Sequence, residues 1–128
     1  TVPVQGFHTS LGYFLTGETV MDRSTVVPRR PLSLRDGRVG PGAIELFARY
    51  SQIELGEQIF TAGLANAEES TRRVFMPEFG FNWYPNRFVK FYVDWQLPFY
   101  ATPVLVNPPQ GTYSRSSNLF WVRCQVYF

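Results

Sequence analysis

The stretch FGFNWYPNRFVKFYVDWQL, residues 79–97, decides the fold class because it holds two runs of period-two alternation around a turn. In the second run, apolar and mostly polar side chains alternate, so that each class occupies every second position and therefore one face of the strand. We call these two sets of positions the apolar parity, with Val89, Phe91, Val93, Trp95 and Leu97, and the polar parity, with Phe88, Lys90, Tyr92, Asp94 and Gln96. Between the runs, YPNR at 84–87 offers Pro85, which presets φ, and Asn86, which tolerates turn geometry. The stretch therefore predicts an antiparallel β-hairpin.

Three further stretches alternate in the same way and extend the prediction to five strands. The five predicted strands are 4–16, 43–55, 78–84, 87–97 and 117–128. Pro77 is expected to limit the third strand, since proline cannot donate to a sheet ladder. The remaining connections, 17–42, 56–73 and 98–116, are rich in Gly, Pro, Ser and charged residues and are predicted as long loops without further strands. The fold class predicted is all-β and antiparallel.

The composition leaves both soluble and membrane β-proteins open. The chain has 128 residues, a net charge of +2, 45% hydrophobic residues and 17% aromatic residues. Its mean hydropathy is -0.14, and no run of about 18 apolar residues suggests a transmembrane helix. A transmembrane β-barrel also fits this mean, because only alternate residues of each strand contact lipid.

Aromatic residues near the strand ends favour the membrane class. Trp83 lies beside the tight turn and Trp95 lies one strand-length away, as expected of aromatic girdles at the two membrane interfaces. The opposite parities carry isolated charges among Tyr, Gln, Asn and Ser, which suits a water-filled interior. We therefore predict an antiparallel transmembrane β-barrel segment.

The last strand carries the most specific signal. Alternate residues from Phe120 to the final Phe128 are apolar: Phe120, Val122, Cys124, Val126 and Phe128. This ending resembles the C-terminal assembly signal of bacterial outer-membrane proteins, which implies recognition by the barrel-assembly machinery. The alternative is an ordinary closing strand.

Four stretches in order resemble one known family. They are GYFLTGE at 12–18, GAIELFARYSQIEL at 42–55, FGFNWYPNRFVKFYV at 79–93 and LFWVRCQVYF at 119–128. They look like the last strands of the phosphate-selective porin O and P family. The resemblance implies a barrel of about sixteen strands, usually trimeric, that passes anions such as phosphate.

Five strands are too few to close a barrel, since an open sheet edge in lipid leaves backbone groups unpaired and known barrels need about eight or more strands. We therefore predict that residues 1–128 form the C-terminal portion of a single outer-membrane β-barrel domain, completed by the remainder of the same barrel. The other expected partners are outer-membrane lipid and lipopolysaccharide, the assembly machinery and two further copies in a homotrimer.

The functional hypothesis is a porin of the bacterial outer membrane, with a water-filled channel for small, anionic, phosphate-like solutes. One alternative is a barrel that anchors or encloses a partner complex without conducting ions. Another is a soluble ligand-binding β-barrel. Conductance separates the first two, and extraction behaviour separates both from the third.

The sequence offers no catalytic, cofactor or metal motif, so the chain is predicted not to be an enzyme. His8 is the sole histidine and has no nucleophile at a recognisable spacing. Acidic residues around the second long loop suggest either a divalent-ion site or a solvated loop: Glu54, Glu57, Glu68 and Glu69. Arginines of the first long loop lack interleaved aromatic residues, and nucleic-acid binding is therefore not expected: Arg23, Arg29, Arg30, Arg35 and Arg38.

The candidate pore-lining, anion-contacting residues are the basic residues on the polar parities: Arg49, Lys90 and Arg123. In a narrow channel, fixed positive charges concentrate anions and repel cations. The alternative is that they brace the wall by pairing with acidic neighbours: Glu45, Glu78 and Asp94.

Overall fold

The computed structural model describes residues 1–20, 25–33 and 35–128, and its fold is all-β with antiparallel pairing, as predicted. The elements in chain order are β1 Val4–Phe14, β2 Leu32–Ser33, β3 Arg38–Val39, β4 Ala43–Leu55, α1 Gln58–Thr61, β5 Arg73–Asn86, β6 Val89–Gln96, β7 Phe99–Asn107, β8 Thr112–Ser116 and β9 Leu119–Val126. Over the described ranges, no helix has the length and apolar character needed to cross a membrane.

The main sheet follows the order β1-β4-β5-β6-β9, and β7 joins it by pairing with β5 and β8. The five strands of that path correspond to the five predicted from the sequence. For β4 the predicted span 43–55 agrees at both ends, and its apolar side chains alternate from Ile44 to Tyr50 before Ile53 and Leu55 fall on the opposite parity.

The hairpin turn lies later in the chain than predicted. β5 continues through Pro85 to Asn86, and the turn residues are Arg87 and Phe88. The Asn86 side-chain oxygen accepts the Phe88 backbone N–H at 2.9 Å, which is the asparagine turn geometry that replaces a backbone hydrogen bond. Pro77 also lies inside β5, so the limit predicted there is wrong.

The connection 98–116 was predicted as a loop, and that prediction is wrong. It forms a hairpin of β7 and β8, with Leu105 opposite Tyr113 and Asn107 opposite Thr112. Pro108 and Pro109 lie in the short 3-10 turn Pro108–Gln110 between the strands, where their missing N–H groups cost no ladder hydrogen bond. Among the described residues the main sheet therefore contains seven strands rather than five.

The chain divides into two compact units. The first unit comprises Thr1–Thr9, Arg49–Glu78 and Gln96–Leu119, and the second comprises Ser10–Ala48, Phe79–Trp95 and Phe120–Phe128. In the first unit β5 pairs with β7 at Val74 and Tyr100.

Within the second unit, described residues of the connection 17–42 are attached to the end of β5 by hydrogen bonds. The Trp83 indole N–H donates to the Pro41 carbonyl at 2.7 Å, and the Asn86 amide donates to the Leu32 carbonyl at 3.5 Å. The strands β2 and β3 pair within it, with Leu32 opposite Val39, so the prediction that this connection holds no strands is wrong. The described part of this predicted loop is thus built against the sheet, whereas Arg23 of its arginine-rich stretch lies outside the described residues.

The Glu18 carboxylate accepts hydrogen bonds at the start of this connection, and its ability to do so depends on its protonation. Desolvation raises the pKa of Glu18, but hydrogen bonds from the Thr16 hydroxyl and the Arg29 backbone N–H outweigh it, so this pKa lies below its usual range. The same Thr16 hydroxyl accepts the Ile44 backbone N–H at 3.0 Å, which ties the carboxylate to the start of β4.

We expect Glu18→Gln to remove an acid-sensitive part of the stability. Folding lowers the pKa of Glu18. The contribution of its carboxylate to the free energy of unfolding is therefore complete above the ordinary glutamate pKa of about 4.3, and it is lost as the pH falls through the lower folded-state value. Urea midpoints of the full-length protein at about pH 6 and about pH 3 test this. The wild type should lose more stability than the variant over that interval, and Glu69→Gln, in an exposed loop, should behave like the wild type.

Candidate functional site

The burial pattern of the described residues is the reverse of that in a soluble domain. The buried polar or charged residues are Glu78, Asn82 and Asp94, whereas the buried hydrophobic residues are only Ala43 and Tyr84. Large hydrophobic side chains are exposed on the long strands, for example Leu11, Leu46, Phe79, Trp95 and Val122. Exposed large apolar side chains along several strands are typical of surfaces that contact lipid or a protein partner.

Two aromatic stacks in the second unit identify the opposite faces of β5 and β6. Trp83 and Phe91 stack on the apolar parity, with ring centroids 5.3 Å apart. On the other parity, Phe47 of β4 and Tyr92 of β6 stack at 5.4 Å with an interplanar angle of 12°. Gly80 of β5 makes the second stack possible, since a Cβ there would lie 2.6 Å from Phe47 and would overlap the Val93 carbonyl.

The side chains on this second parity form a cluster that we call the polar-face cluster. Its members are Glu45, Phe47, Asn82, Tyr84, Lys90, Tyr92 and Arg123. At its centre, one oxygen of the Glu45 carboxylate accepts the Asn82 amide N–H at 2.8 Å and the Tyr84 hydroxyl at 3.0 Å. These bonds satisfy a carboxylate that is partly withdrawn from solvent, and they join β4 to β5.

The two cations of the cluster lie against aromatic rings. The Lys90 ammonium is 5.3 Å from the Tyr84 ring centroid and 5.9 Å from that of Tyr92. The Arg123 guanidinium carbon lies 5.5 Å from the Tyr92 centroid, so one tyrosine ring contacts both cations. Each distance falls within the range of about 6 Å for cation–π attraction. The cluster thus combines positive charge with aromatic surface.

Arg49, the third predicted basic residue, belongs to the first unit and is engaged in an ion pair. Its guanidinium lies 3.2 Å from the carboxylate of Glu78, whose side chain is 2% exposed. A charge so buried requires compensation, and removing one partner of such a pair is costly. The structure therefore shows for Arg49 the pairing with Glu78 that was the alternative to anion contact.

Two of the four acidic residues around the second long loop, Glu54 and Glu57, are also paired with arginine. Arg73 donates two hydrogen bonds to Glu54, at 2.6 and 3.0 Å, and Arg72 lies 3.5 Å from Glu57. Over the described ranges, no group of three or more His, Cys, Asp or Glu side chains is arranged to hold a metal ion.

The predicted girdle and assembly residues lie on the apolar parity. Trp83 is half-buried in its stack, whereas Trp95 is exposed. The side chains of the predicted assembly signal are exposed along and after β9: Phe120, Val122, Val126 and Phe128. Their roles as girdle and assembly signal stay predictions.

Sequence reasoning missed the aromatic members of the polar-face cluster. Phe47, Tyr84 and Tyr92 fall on parities that the alternation assigned to the polar side, and only the basic residues there were singled out. Their signal was present, since aromatic side chains at polar-parity positions of two strands can pack across a glycine of the strand between them when the register aligns them.

Comparison with known proteins places the chain in a family. The family model described as phosphate-selective porin O and P matches residues 1–100. The ending at 119–128, which was part of the resemblance, lies outside that match. No curated protein and no solved structure matches the chain. Since the match covers more than half of its length, the chain belongs to the phosphate-selective porin O and P family.

Proposed function

We propose that this chain forms part of the wall of a water-filled outer-membrane channel through which small anions diffuse. The observation that carries the proposal is the placement of Lys90 and Arg123 among polar and aromatic side chains on one parity of strands whose opposite parity is apolar. Family membership supports a channel rather than an enzyme.

In this proposal the apolar parity contacts outer-membrane lipid and the polar-face cluster lines the passage. Lipid removes the cost of exposing side chains such as Phe79, Phe81 and Val122, because hydrocarbon is the solvent that they prefer. A barrel of about sixteen strands, assembled as a trimer with the remainder of the protein, would pair the strands β1 and β9 that end the sheet order.

Selectivity in this proposal comes from fixed positive charge near the passage. In a channel with low-dielectric walls, unpaired cations raise the local concentration of anions and exclude cations. Arg49 contributes little, because the carboxylate of Glu78 cancels its charge at 3.2 Å. The predicted trio of anion-contacting residues is thereby reduced to Lys90 and Arg123.

The experiment is the reversal potential of the full-length protein across a salt gradient in planar bilayers. We expect the double variant Lys90→Gln/Arg123→Gln to lower the anion-to-cation permeability ratio severalfold at about 0.01 M salt, where the Debye length is about 30 Å. At about 1 M salt, with a Debye length of about 3 Å, the difference from wild type should nearly vanish.

The matched control is Arg49→Gln/Glu78→Gln, which removes a cation and an anion together and leaves the net charge unchanged. Its permeability ratio should equal that of the wild type at both salt concentrations. An unchanged ratio in the Lys90→Gln/Arg123→Gln protein at low salt would contradict the assignment of anion preference to this cluster.

A second candidate function is an outer-membrane barrel that anchors a partner complex without conducting. The Arg49–Glu78 ion pair and the hydrogen bonds of Glu45 join neighbouring strands. Such links make a wall rigid, which an anchoring barrel requires. A folded, heat-modifiable full-length protein that inserts into bilayers without chloride conductance would support this function and exclude the channel.

A further inference from the structure

We propose that Glu45 controls how tightly the polar-face cluster holds phosphate. Its negative charge weakens the attraction of Lys90 and Arg123 for the ion, so that phosphate binds at the cluster and still leaves it. The inference rests on the proposed function, because an ion reaches the cluster only if that face lines the passage. It gives Glu45 a part in conduction beyond the link that its hydrogen bonds make between two strands.

The Glu45 carboxylate is held in place from two neighbouring strands. On β5, the Asn82 amide and the Tyr84 hydroxyl both donate to its Oε2 atom, at 2.8 and 3.0 Å. On β1, Gly12 leaves room for the other oxygen, since a Cβ there would lie 2.7 Å from Oε1. The Glu45 side chain is half-buried, so its charge stays at the surface of the polar face. The sheet thus keeps a negative charge at a fixed position.

Tyr84 connects this anion to the cations of the cluster. Its hydroxyl donates to Glu45, and its ring centroid lies 5.3 Å from the Lys90 ammonium. Lys90 is also 5.9 Å from the ring centroid of Tyr92, against which the Arg123 guanidinium packs at 5.5 Å. One carboxylate and two cations therefore share a surface of two tyrosine rings. Because the Debye length is about 10 Å at 0.1 M salt, an ion beside Lys90 also experiences the charge of Glu45.

A negative charge beside two positive charges shortens the residence of an anion. A channel conducts an ion only if the ion binds well enough to enter and weakly enough to leave. Coulomb energy scales with the product of the charges, and phosphate carries mostly two negative charges at about pH 8. Glu45 therefore repels phosphate more strongly than it repels a monoanion at the same distance. Without Glu45, the two cations would hold phosphate for longer.

The test is the current of the full-length Glu45→Gln protein in planar bilayers, measured over a series of sodium phosphate concentrations at about pH 8. Glutamine keeps an oxygen that accepts the bonds from Asn82 and Tyr84, so the variant removes the charge and retains the link to β5. We expect the phosphate concentration at half of the maximal current to fall about threefold, the order set by removal of one nearby unit charge. The maximal current should fall too, because phosphate leaves the cluster more slowly.

Two single variants separate the charge of Glu45 from its hydrogen bonds. Tyr84→Phe removes one of these bonds and keeps the carboxylate and the ring, so its half-saturating concentration should equal that of the wild type. Glu69→Gln removes the same charge from an exposed loop, where water and salt screen it, and should also behave like the wild type. A Glu45 that only joined strands would give the opposite order, with Tyr84→Phe affected and Glu45→Gln unaffected.

A double-mutant cycle ties the effect to the two cations. Glu45→Gln is added to Lys90→Gln/Arg123→Gln and compared with Glu45→Gln alone. The half-saturating concentration should change much less in the background without the cations, because phosphate no longer rests beside Glu45 there.

The other outcomes overturn the inference or the function on which it rests. Equal half-saturating concentrations in Glu45→Gln and the wild type, or an equal change with and without the two cations, overturn the inference and leave the channel standing. A wild-type current that rises in proportion to phosphate without saturating does the same, since no ion is then held. A folded wild-type protein without conductance overturns the channel as well, so the two failures are distinguishable.

Discussion

Replacing Gly42 with alanine is expected to abolish folding of the protein or to lower its free energy of unfolding by several kcal/mol. Gly42 has a φ of 76°, where an L-residue costs about 1–2 kcal/mol. A Cβ there would also lie 2.9 Å from the Pro85 Cα and would overlap the Tyr84 carbonyl oxygen. Both neighbours are backbone of β5 and cannot rotate away, so β4 would have to separate from β5 where it begins.

Gly63→Ala is the matched control, because its φ of 69° imposes the same conformational cost while open space surrounds the added methyl group. Urea unfolding and heat-modifiable gel mobility of the full-length protein measure both variants. We expect Gly63→Ala to lose only about 1–2 kcal/mol. Similar losses in the two variants would show that the close approach of Gly42 to β5 does not determine stability.

Changing Phe128 to aspartate is expected to reduce the amount of assembled protein in the outer membrane severalfold. Phe128 shares the apolar parity of Phe120, Val122 and Val126 and is fully exposed. If that parity contacts lipid, a carboxylate there loses its hydration without gaining a partner.

Tyr127→Asp provides the control, since a shift of one residue moves a side chain to the opposite face of the strand. Tyr127 is half-buried, and its backbone N–H donates to the Phe88 carbonyl at 2.8 Å, a bond that the substitution leaves intact. Outer-membrane fractions of the two variants give the comparison. Equal assembly would show that an apolar side chain at Phe128 is not required for assembly.

The predicted fold differs from the structure mainly where proline guided the prediction. Pro77 and Pro85 were expected to end or turn a strand, yet both lie within β5. Pro108 and Pro109 were expected to exclude strands from residues 98–116, yet they occupy the turn of the β7–β8 hairpin. A proline removes one N–H donor, and whether that loss ends a strand depends on which side of the strand the partner lies.

The prediction of the candidate site was limited in a different way. All three basic residues were assigned to the polar parity from the sequence, but their environments were not predictable from it. Arg49 is neutralised by Glu78, whereas Lys90 and Arg123 lie against tyrosine rings. Glu78, Tyr84 and Tyr92 reach these three cations from neighbouring strands, and which residues meet depends on strand order and register.

The sequence by itself determined the strand class, the main strands and the parity of each side chain, because period-two alternation is a local property of the backbone. Only the tertiary structure decided that Gly80 lies beneath the Phe47–Tyr92 stack and that Gly42 touches the backbone of β5. The same holds for the described residues of 17–42, which fold against the strand ends. These are contacts between segments 12 to 54 residues apart, for example the Asn86 amide and the Leu32 carbonyl at 3.5 Å. Local alternation fixes which face a residue occupies, but only strand order and register bring particular faces together.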